Sequence, residues 1–438
     1  MNSKTYWERR EEEALKKYIA DEKEYQKQLE EIHRDMLDSI EKEIESFYGK
    51  YAKAEGITLA EAKKRVSQAD IEAYERKAKR YVKENNFSEQ ANEEMRLYNA
   101  TMKINRLELL KANIGLEMVK SHSELESFME EILQGRTVEE LERQAGILGN
   151  TIKDNGKTAE AIVNASFHNA KFSDRIWMYQ DSLKGEMSKI IQSGLIQGKS
   201  SKALAKELRK TVKTSVFNSE RLMRSELARV QTEAQKQSFK ANGFEEYEFH
   251  ANSSCCDTCQ SLDGKHFKVE KMVVGENAPP LHPNCRCSTS AWEDSKEYDD
   301  WLDFLNKGGT TKEWQKLNLN IENALKNGII MPRDKFVKYA LDKGKAPDKS
   351  RAFKDALGYE ISNSSELVEN ILQHIGEFEF VEKSSNGYGM RYECVMQLVG
   401  ANGKEANVLT AWIDDGNKKR LTSIYVTKKK RSVKNENK

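Results

Sequence analysis

Proline is nearly missing from this chain, with five in 438 residues and none before Pro279. Proline breaks a helix by removing an N–H and clashing with the preceding turn, so its absence leaves the N-terminal half free to run as long helices. Long apolar runs are missing too. No stretch approaches the roughly 20 residues needed to span a bilayer, and residues 1–10 run straight into charge without the apolar core of a secretory signal. The expectation is a chain made in the cytosol and kept soluble, with no membrane segment. Net charge is also scarce. The 72 Lys+Arg and 71 Asp+Glu leave +1, so no global field draws the chain to nucleic acid or to an anionic membrane, and any DNA contact has to be local. Hydrophobic residues supply 38% and charged ones 33%, a balance that suits solvent-washed helices better than one compact globule. The length allows roughly two to four domains.

What is present is helical periodicity. Tyr25, Leu29, Ile32, Met36, Ile40, Ile44 and Phe47 recur every three or four residues, as one apolar stripe along a long helix does. Gly56 interrupts it, and Thr58-Leu59-Ala60-Glu61 reads as a capping box that restarts a helix. Asn85-Asn86-Phe87-Ser88 reads as a further break and Thr137-Val138-Glu139-Glu140 as a second capping box. Residues 1–145 are expected to form a helical N-terminal region, interrupted too often for a sustained coiled coil. A second domain is expected over 146–292, then a glycine-bearing linker over 293–318. Over 319–427 short helices near 335–341, 351–357 and 365–375 precede strand-like runs at 378–382, 390–398, 407–413 and 422–426. Asn386-Gly387, Asn402-Gly403 and Asp415-Gly416 supply the turns. Lys428-Lys429-Lys430-Arg431 opens a basic tail, 428–438, expected to be disordered. The fold class is therefore mostly α in residues 1–250, then a small Cys/His-stapled region of loop and strand, then an α+β C-terminal domain with an antiparallel sheet.

Five of the six cysteines fall between Cys255 and Cys287. Cys256 and Cys259 form a C-x-x-C pair, and about 22 residues further on come His282, Cys285 and Cys287 as H-x-x-C-x-C. Two tight loops with that spacing can place four soft ligands around one zinc ion. Cys256, Cys259, His282 and Cys285 are the expected tetrahedron, with Cys287 or Cys255 as substitutes. Four protein ligands leave no open position, so the zinc is structural. It would fasten a segment with too few apolar residues to pack alone. The alternatives are reduced thiols without metal, or a disulfide or catalytic use. His266, between the two halves, reads as a surface residue, and His33, His122, His168, His250 and His374 read as scattered singles. Ser193 to Ser200 resembles a phosphate loop only superficially. Serine stands where the first glycine belongs and no strand precedes it, so Gly198 reads as a helix end and Ser200 or Ser201 as the next N-cap.

The order of motifs resembles the phage Mu F-like minor head proteins, the head-morphogenesis family. Arg224-Ser225-Glu226 stands on a helix, followed by Tyr247-Glu248-Phe249-His250-Ala251, Cys256, Cys259, Asp263-Gly264 and Pro279 through Cys287, including His-Pro-Asn-Cys-Arg-Cys. The likeness extends over residues 150–292. It implies a low-copy phage or prophage minor capsid protein that associates with the portal and procapsid, acts in head assembly and in DNA packaging or ejection, and sits inside the virion after a stay in the host cytoplasm.

The end of the chain resembles, less specifically, toxin-type extensions on such proteins, carried by Lys345 to Phe353, Tyr388 to Tyr392 and Leu409 to Ile413. If that domain is an enzyme, the resemblance implies a metal-independent RNase-like activity in 319–427. Lys349, Arg351 and Arg391 are then candidates for phosphate and Thr410 or Tyr425 for a place near the chemistry. No histidine or glutamate is poised as general base, and a non-catalytic folding or binding domain is the competing reading.

Overall fold

The computed structural model describes residues 3–51, 59–65, 67–85, 88, 90–93, 105–383, 389–415 and 417–431. The breaks and turns expected at Gly56, Thr58, Asn86, Asn386 and Gly416 lie outside the described residues. The chain divides into two compact units. One comprises Arg10–Glu142 with Thr151–Trp292, the other Met1–Arg9, Arg143–Asn150 and Glu293–Lys438. The mostly helical first part, the Cys-rich loops and the antiparallel C-terminal sheet agree with the expected fold class.

The larger unit is built on long helices: α1 (Ser3–Tyr51), α2 (Leu59–Ala62), α3 (Gln68–Asn85), α4 (Arg106–Leu148), α5 (Asn155–Val163), α6 (Phe172–Ile196) and α7 (Ser201–Ala241). The apolar stripe of α1 is buried as its spacing requires, but its partners come from far along the chain. Met36, Ile40, Ile44 and Phe47 share a core with Leu107, Leu110 and Ile114 of α4, Leu183, Met187 and Ile191 of α6, and Leu204, Leu208 and Val212 of α7. Higher up, Leu29 joins Leu125, Met129 and Leu133 with Leu222, Met223 and Leu227. Each fully buried aliphatic side chain contributes about 1.5–3 kcal/mol, so α1 and the 151–292 segment stabilise one another. Residues 10–142 and 151–292 thus make one body rather than the separate domains expected over 1–145 and 146–292.

Gly194 lets α6 and α7 approach. A Cβ there would lie 2.2 Å from Cδ2 of Leu204. The helix break at 197–200 is as expected, with Gly198 at φ 65 and the Ser200 hydroxyl accepting the Ala203 N–H at 3.3 Å. No helix begins at Thr137, however. α4 runs through it, and its hydroxyl turns back to donate to the Leu133 carbonyl at 2.7 Å. A serine or threonine hydroxyl has that second option inside a helix, so the capping-box pattern alone misleads.

A three-stranded antiparallel sheet follows, in the order β2-β1-β3, from β1 (Glu246–His250), β2 (His266–Lys268) and β3 (Ser288–Trp292). The Cys/His loops are the two connections of this sheet.

In the second unit the stretch expected to be a linker, 293–318, is helical. Ser295 caps α9 (Lys296–Asn306) and Thr310 caps α10 (Thr311–Lys326), with Gly308 at φ 94 between them. Tyr298, Trp301 and Phe304 of α9 are buried. Trp7 donates its indole N–H to the Tyr298 hydroxyl at 2.8 Å, Trp301 donates to the Thr311 hydroxyl, and that hydroxyl donates to the carbonyl of Ile147. Acidic, polar spacing hid three aromatics that anchor the segment. A π-helical turn (Lys335–Ala340), α11 (Pro347–Leu357) and α12 (Ser364–His374) pack against a five-stranded sheet of order β4-β8-β7-β6-β5. Its strands are β4 (Ile329–Ile330), β5 (Val381–Lys383), β6 (Arg391–Val399), β7 (Glu405–Asp415) and β8 (Lys418–Thr427), antiparallel except for the short β4–β8 pair. Alternation puts Cys394, Met396, Leu398, Val408, Thr410, Trp412, Leu421 and Ile424 on one fully buried face. Among the described residues no helix is long and apolar enough to cross a membrane.

Candidate metal centre

The loop after β1 is short because Asp263 and Gly264 close it. The Asp263 carboxylate accepts the Ala251 N–H at 2.9 Å, and Gly264, at φ 70, donates its N–H to the Phe249 carbonyl at 2.8 Å. Within it Cys256 precedes, and Cys259 stands on, the single turn α8 (Asp257–Gln260). The loop before β3 turns at His282-Pro283-Asn284-Cys285. The Cys285 N–H reaches back to the His282 carbonyl at 3.1 Å, with Asn284 at φ 64. Proline second and a left-handed asparagine third is what a type II turn demands, so this tetrapeptide is turn chemistry as much as ligand spacing.

These turns bring two triads together at Cys259. Cys256, Cys259 and His282 have ligand atoms within 4.8 Å of one another, and so have Cys259, Cys285 and Cys287. Nε2 of His282 is 3.2 Å and Sγ of Cys285 3.8 Å from the Cys259 sulfur. Nδ1 of His282 lies 2.9 Å from the Pro283 carbonyl and donates to it, which turns the other nitrogen into the cluster and holds the ring's affinity for protons above its ordinary value. The Cys287 thiol donates to the Cys285 sulfur and pulls the Cys285 pKa down to about 5, while Cys287 itself is pushed up. Burial pushes Cys259 up to about 12, and the backbone of Cys259 lowers Cys256. Cys255 is outside both triads and donates to Gln260 at 3.4 Å. The core beneath is thin, with Phe249 and the cysteines themselves flanked by Leu262, Phe267 and Leu281. Soft thiolate donors, one oriented imidazole and little apolar packing fit a four-coordinate structural ion.

The motif loops are tied to the helices by charge that sequence reading missed. Arg286, between Cys285 and Cys287, makes a two-pronged contact with Glu22 of α1 at 3.1 and 2.5 Å. Arg224 of α7 shares Glu22 at 3.4 Å and donates to the Asn284 side chain at 3.4 Å. Glu226, two residues on, is fully buried between Arg175 at 2.7 Å and Arg229 at 2.6 Å. Arg229, equally buried, donates to the carbonyls of Ile162 and Val163 at the end of α5. The position of Arg286 between two candidate ligands was a usable signal. Glu22 carries none.

His33 and His122, expected as separate surface or partly buried side chains, lie together. Both are buried, with ring centroids 6.4 Å apart. Each Nδ1 donates to the carbonyl four residues back, Leu29 or Met118, at 2.8 Å. Burial lowers the pKa of His33 and takes His122 down to about 4.

The four candidates for phosphate chemistry in the C-terminal unit are not brought into one cleft. Thr410 is fully buried, donating to the Cys394 carbonyl at 3.1 Å and accepting the Trp412 indole N–H at 2.8 Å. Arg391 pairs with Ile413 and Cys394 with Thr410, so alternation turns Arg391 and Thr410 to opposite faces of the sheet. Lys349 is 3.5 Å from the Ser423 hydroxyl and 5.5 Å from the Tyr425 ring centre. Those two residues share the face of Arg391, because they pair with Ala411 and Leu409. Arg351 is exposed on α11. Thr410 is core architecture, and alternation, the same signal that located the strands, could have said so.

Comparison with known families finds two matching segments. Residues 186–290 match the family described as Phage Mu protein F like protein, a segment that begins within α6, takes in the whole of α7 and ends inside β3. It holds all five clustered cysteines and is narrower than the 150–292 read from motifs. Residues 304–428 match a model described only as a domain of unknown function (DUF6883). No curated protein and no solved structure matches the chain.

Proposed function

We propose that this chain is a minor head protein of a tailed phage or prophage, acting at the portal vertex during head assembly and enclosed in the virion. One observation carries the reading. The segment similar to the Mu F-like family is the one whose Cys and His side chains converge on Cys259. Cys256, Cys259, His282 and Cys285 would hold zinc, and Cys287 would act behind them as a hydrogen-bond donor to the Cys285 sulfur. Bound there, zinc would supply a closed four-coordinate staple with no position for substrate. The chain's own residues then carry the order outward: Arg286 and Asn284 fix the stapled loop to Glu22 and Arg224, and through them to α1 and α7. Balanced charge and long helical faces suit docking to portal and procapsid components.

Two measurements test this. Elemental analysis of the full chain purified without added metal should give close to one zinc per chain, and well under half an equivalent would refute the staple. Co-expression with the portal protein from the same genome should give co-purification. Its failure, with zinc present, would remove the portal assignment and leave the metal site standing.

A further inference from the structure

One face of the C-terminal sheet is packed on helices. The other buries Val395 and Leu409 at its middle and is strongly cationic around them. Pairing places Lys383, Arg391, Ile413 and Arg420 in one row across four strands on this outer face, a row of about 14 Å at ordinary strand spacing. The end of the chain crosses the same face. The Lys429 carbonyl accepts from Asn407, its ammonium meets Glu393 at 2.9 Å, and Arg431 donates to Gln397 at 3.2 Å. Lys349 reaches the face from α11 beside Tyr425. Seven cations, Lys349, Lys383, Arg391, Lys418, Arg420, Lys429 and Arg431, therefore share a surface with three carboxylates, Glu393, Glu405 and Asp415. The whole chain nets only +1, so this is a local concentration. Three of the carboxylate contacts are already used, with Glu393 serving Lys383 and Lys429 and Asp415 serving Arg420. Lys349, Arg391 and Arg431 have no carboxylate partner among the described residues.

Surplus, unneutralised cations spread around that buried middle fit a flexible polyanion. A duplex is read by an element that enters a groove, and this face presents none. We propose that the outer face of the C-terminal sheet binds single-stranded nucleic acid, with Lys349, Arg391 and Arg431 on separate phosphates along one strand and the Tyr425 ring as the stacking surface for a base. The inference rests on the second unit alone and is independent of the metal-site reading.

The test is fluorescence anisotropy of the full chain with labelled oligothymidine, oligouridine and a duplex of about 20 nucleotides, each titrated over a range of salt. The expected result is salt-dependent binding of one or both single strands ahead of the duplex. The triple variant Lys349→Gln, Arg391→Gln, Arg431→Gln should bind about tenfold or more weakly, with the log–log salt slope smaller by about 2, since each lost phosphate contact on a single strand accounts for about 0.7. Arg391→Lys with Arg431→Lys should retain most of the affinity. Lys16→Gln, Lys27→Gln, Arg34→Gln, the same charge loss at exposed sites on α1, should bind like the parent. If the triple variant does not fold, Arg391→Gln alone, an exposed site, should reduce the slope by about 0.7. Absence of salt-dependent binding, tighter binding of the duplex, or an equal loss in the α1 control would overturn the proposal.

Discussion

Glu226→Gln should loosen the end of α5 without disturbing the distant helices, and the size of the effect follows from burial. The Glu226 carboxylate is 1% exposed and holds Arg229, itself 2% exposed, at 2.6 Å. Glutamine keeps the shape and one acceptor but removes the charge, leaving a guanidinium in the core without its counter-ion. Breaking one partner of a buried pair costs about 3–5 kcal/mol. Arg229 keeps its bonds to the carbonyls of Ile162 and Val163, and the other arginine, Arg175, has a side chain 18% exposed that water can serve. The loss therefore falls at the lower end, about 3 kcal/mol, or about a hundredfold in an opening equilibrium. Hydrogen exchange by mass spectrometry on the full chain reads this locally, which matters because a chain of two units need not unfold in one step. Amides of 155–163 and of α7 near 226 should exchange about a hundredfold faster. Glu220→Gln, which breaks a more exposed pair with Arg224 on the same helix, should change exchange by less than about fivefold. If Glu226→Gln left α5 as protected as in the parent, Arg229 would not need its counter-ion and the argument from burial would fail.

Acid should destabilise the larger unit before ordinary carboxylates titrate. His122 is held neutral, with its pKa at about 4 against 6.5 in an unfolded chain. Its contribution is complete above about 6.5 and is lost as the pH falls toward 4, reaching about 2 kcal/mol at pH 5. His33 adds in the same direction. His122→Gln should flatten the fall in thermal midpoint between those pH values, and an unchanged profile would refute the linkage. At the metal centre, Cys256→Ser should lower zinc below half an equivalent. Cys287→Ser should retain the ion with affinity weakened about 10–100-fold, as loss of an outer hydrogen-bond partner does. The opposite pattern would make Cys287 the fourth ligand.

The sequence announced the elements wherever the physics is local. The stripe from Tyr25 to Phe47 faces the core, Gly198 and Ser200 end and restart helices, and the four expected C-terminal strands, though not the short β4, lie within a few residues of their expected places. The tight turn at His282–Cys285 was visible as Pro-Asn, and the convergence on Cys259 as ligand spacing. What stayed hidden depends on contacts between residues far apart. Tyr298, Trp301 and Phe304 sit in an acidic, glycine-flanked stretch that reads as linker until their partners are known. Nothing near His33 indicates His122, which is 89 residues away in sequence and meets it edge to face only because α1 and α4 pack together.

The same distinction bears on what the family-matched segment can do by itself. Residues 186–290 include α7 and the Cys/His loops but omit α1 and α4, and so omit one side of the core holding Leu204, Leu208 and Val212. They also omit Glu22, the acid that Arg224 and Arg286 share. A metal could order the two loops locally, since its ligands all lie within the segment, but it would not bury the apolar side of α7. Cutting the chain near 145 would expose the stripes of α1 and α7 together, so the N-terminal helices are structural partners of the motif region rather than an appendage to it. Any docking role for α1 then belongs to its solvent face, because its apolar face is already committed to α4, α6 and α7.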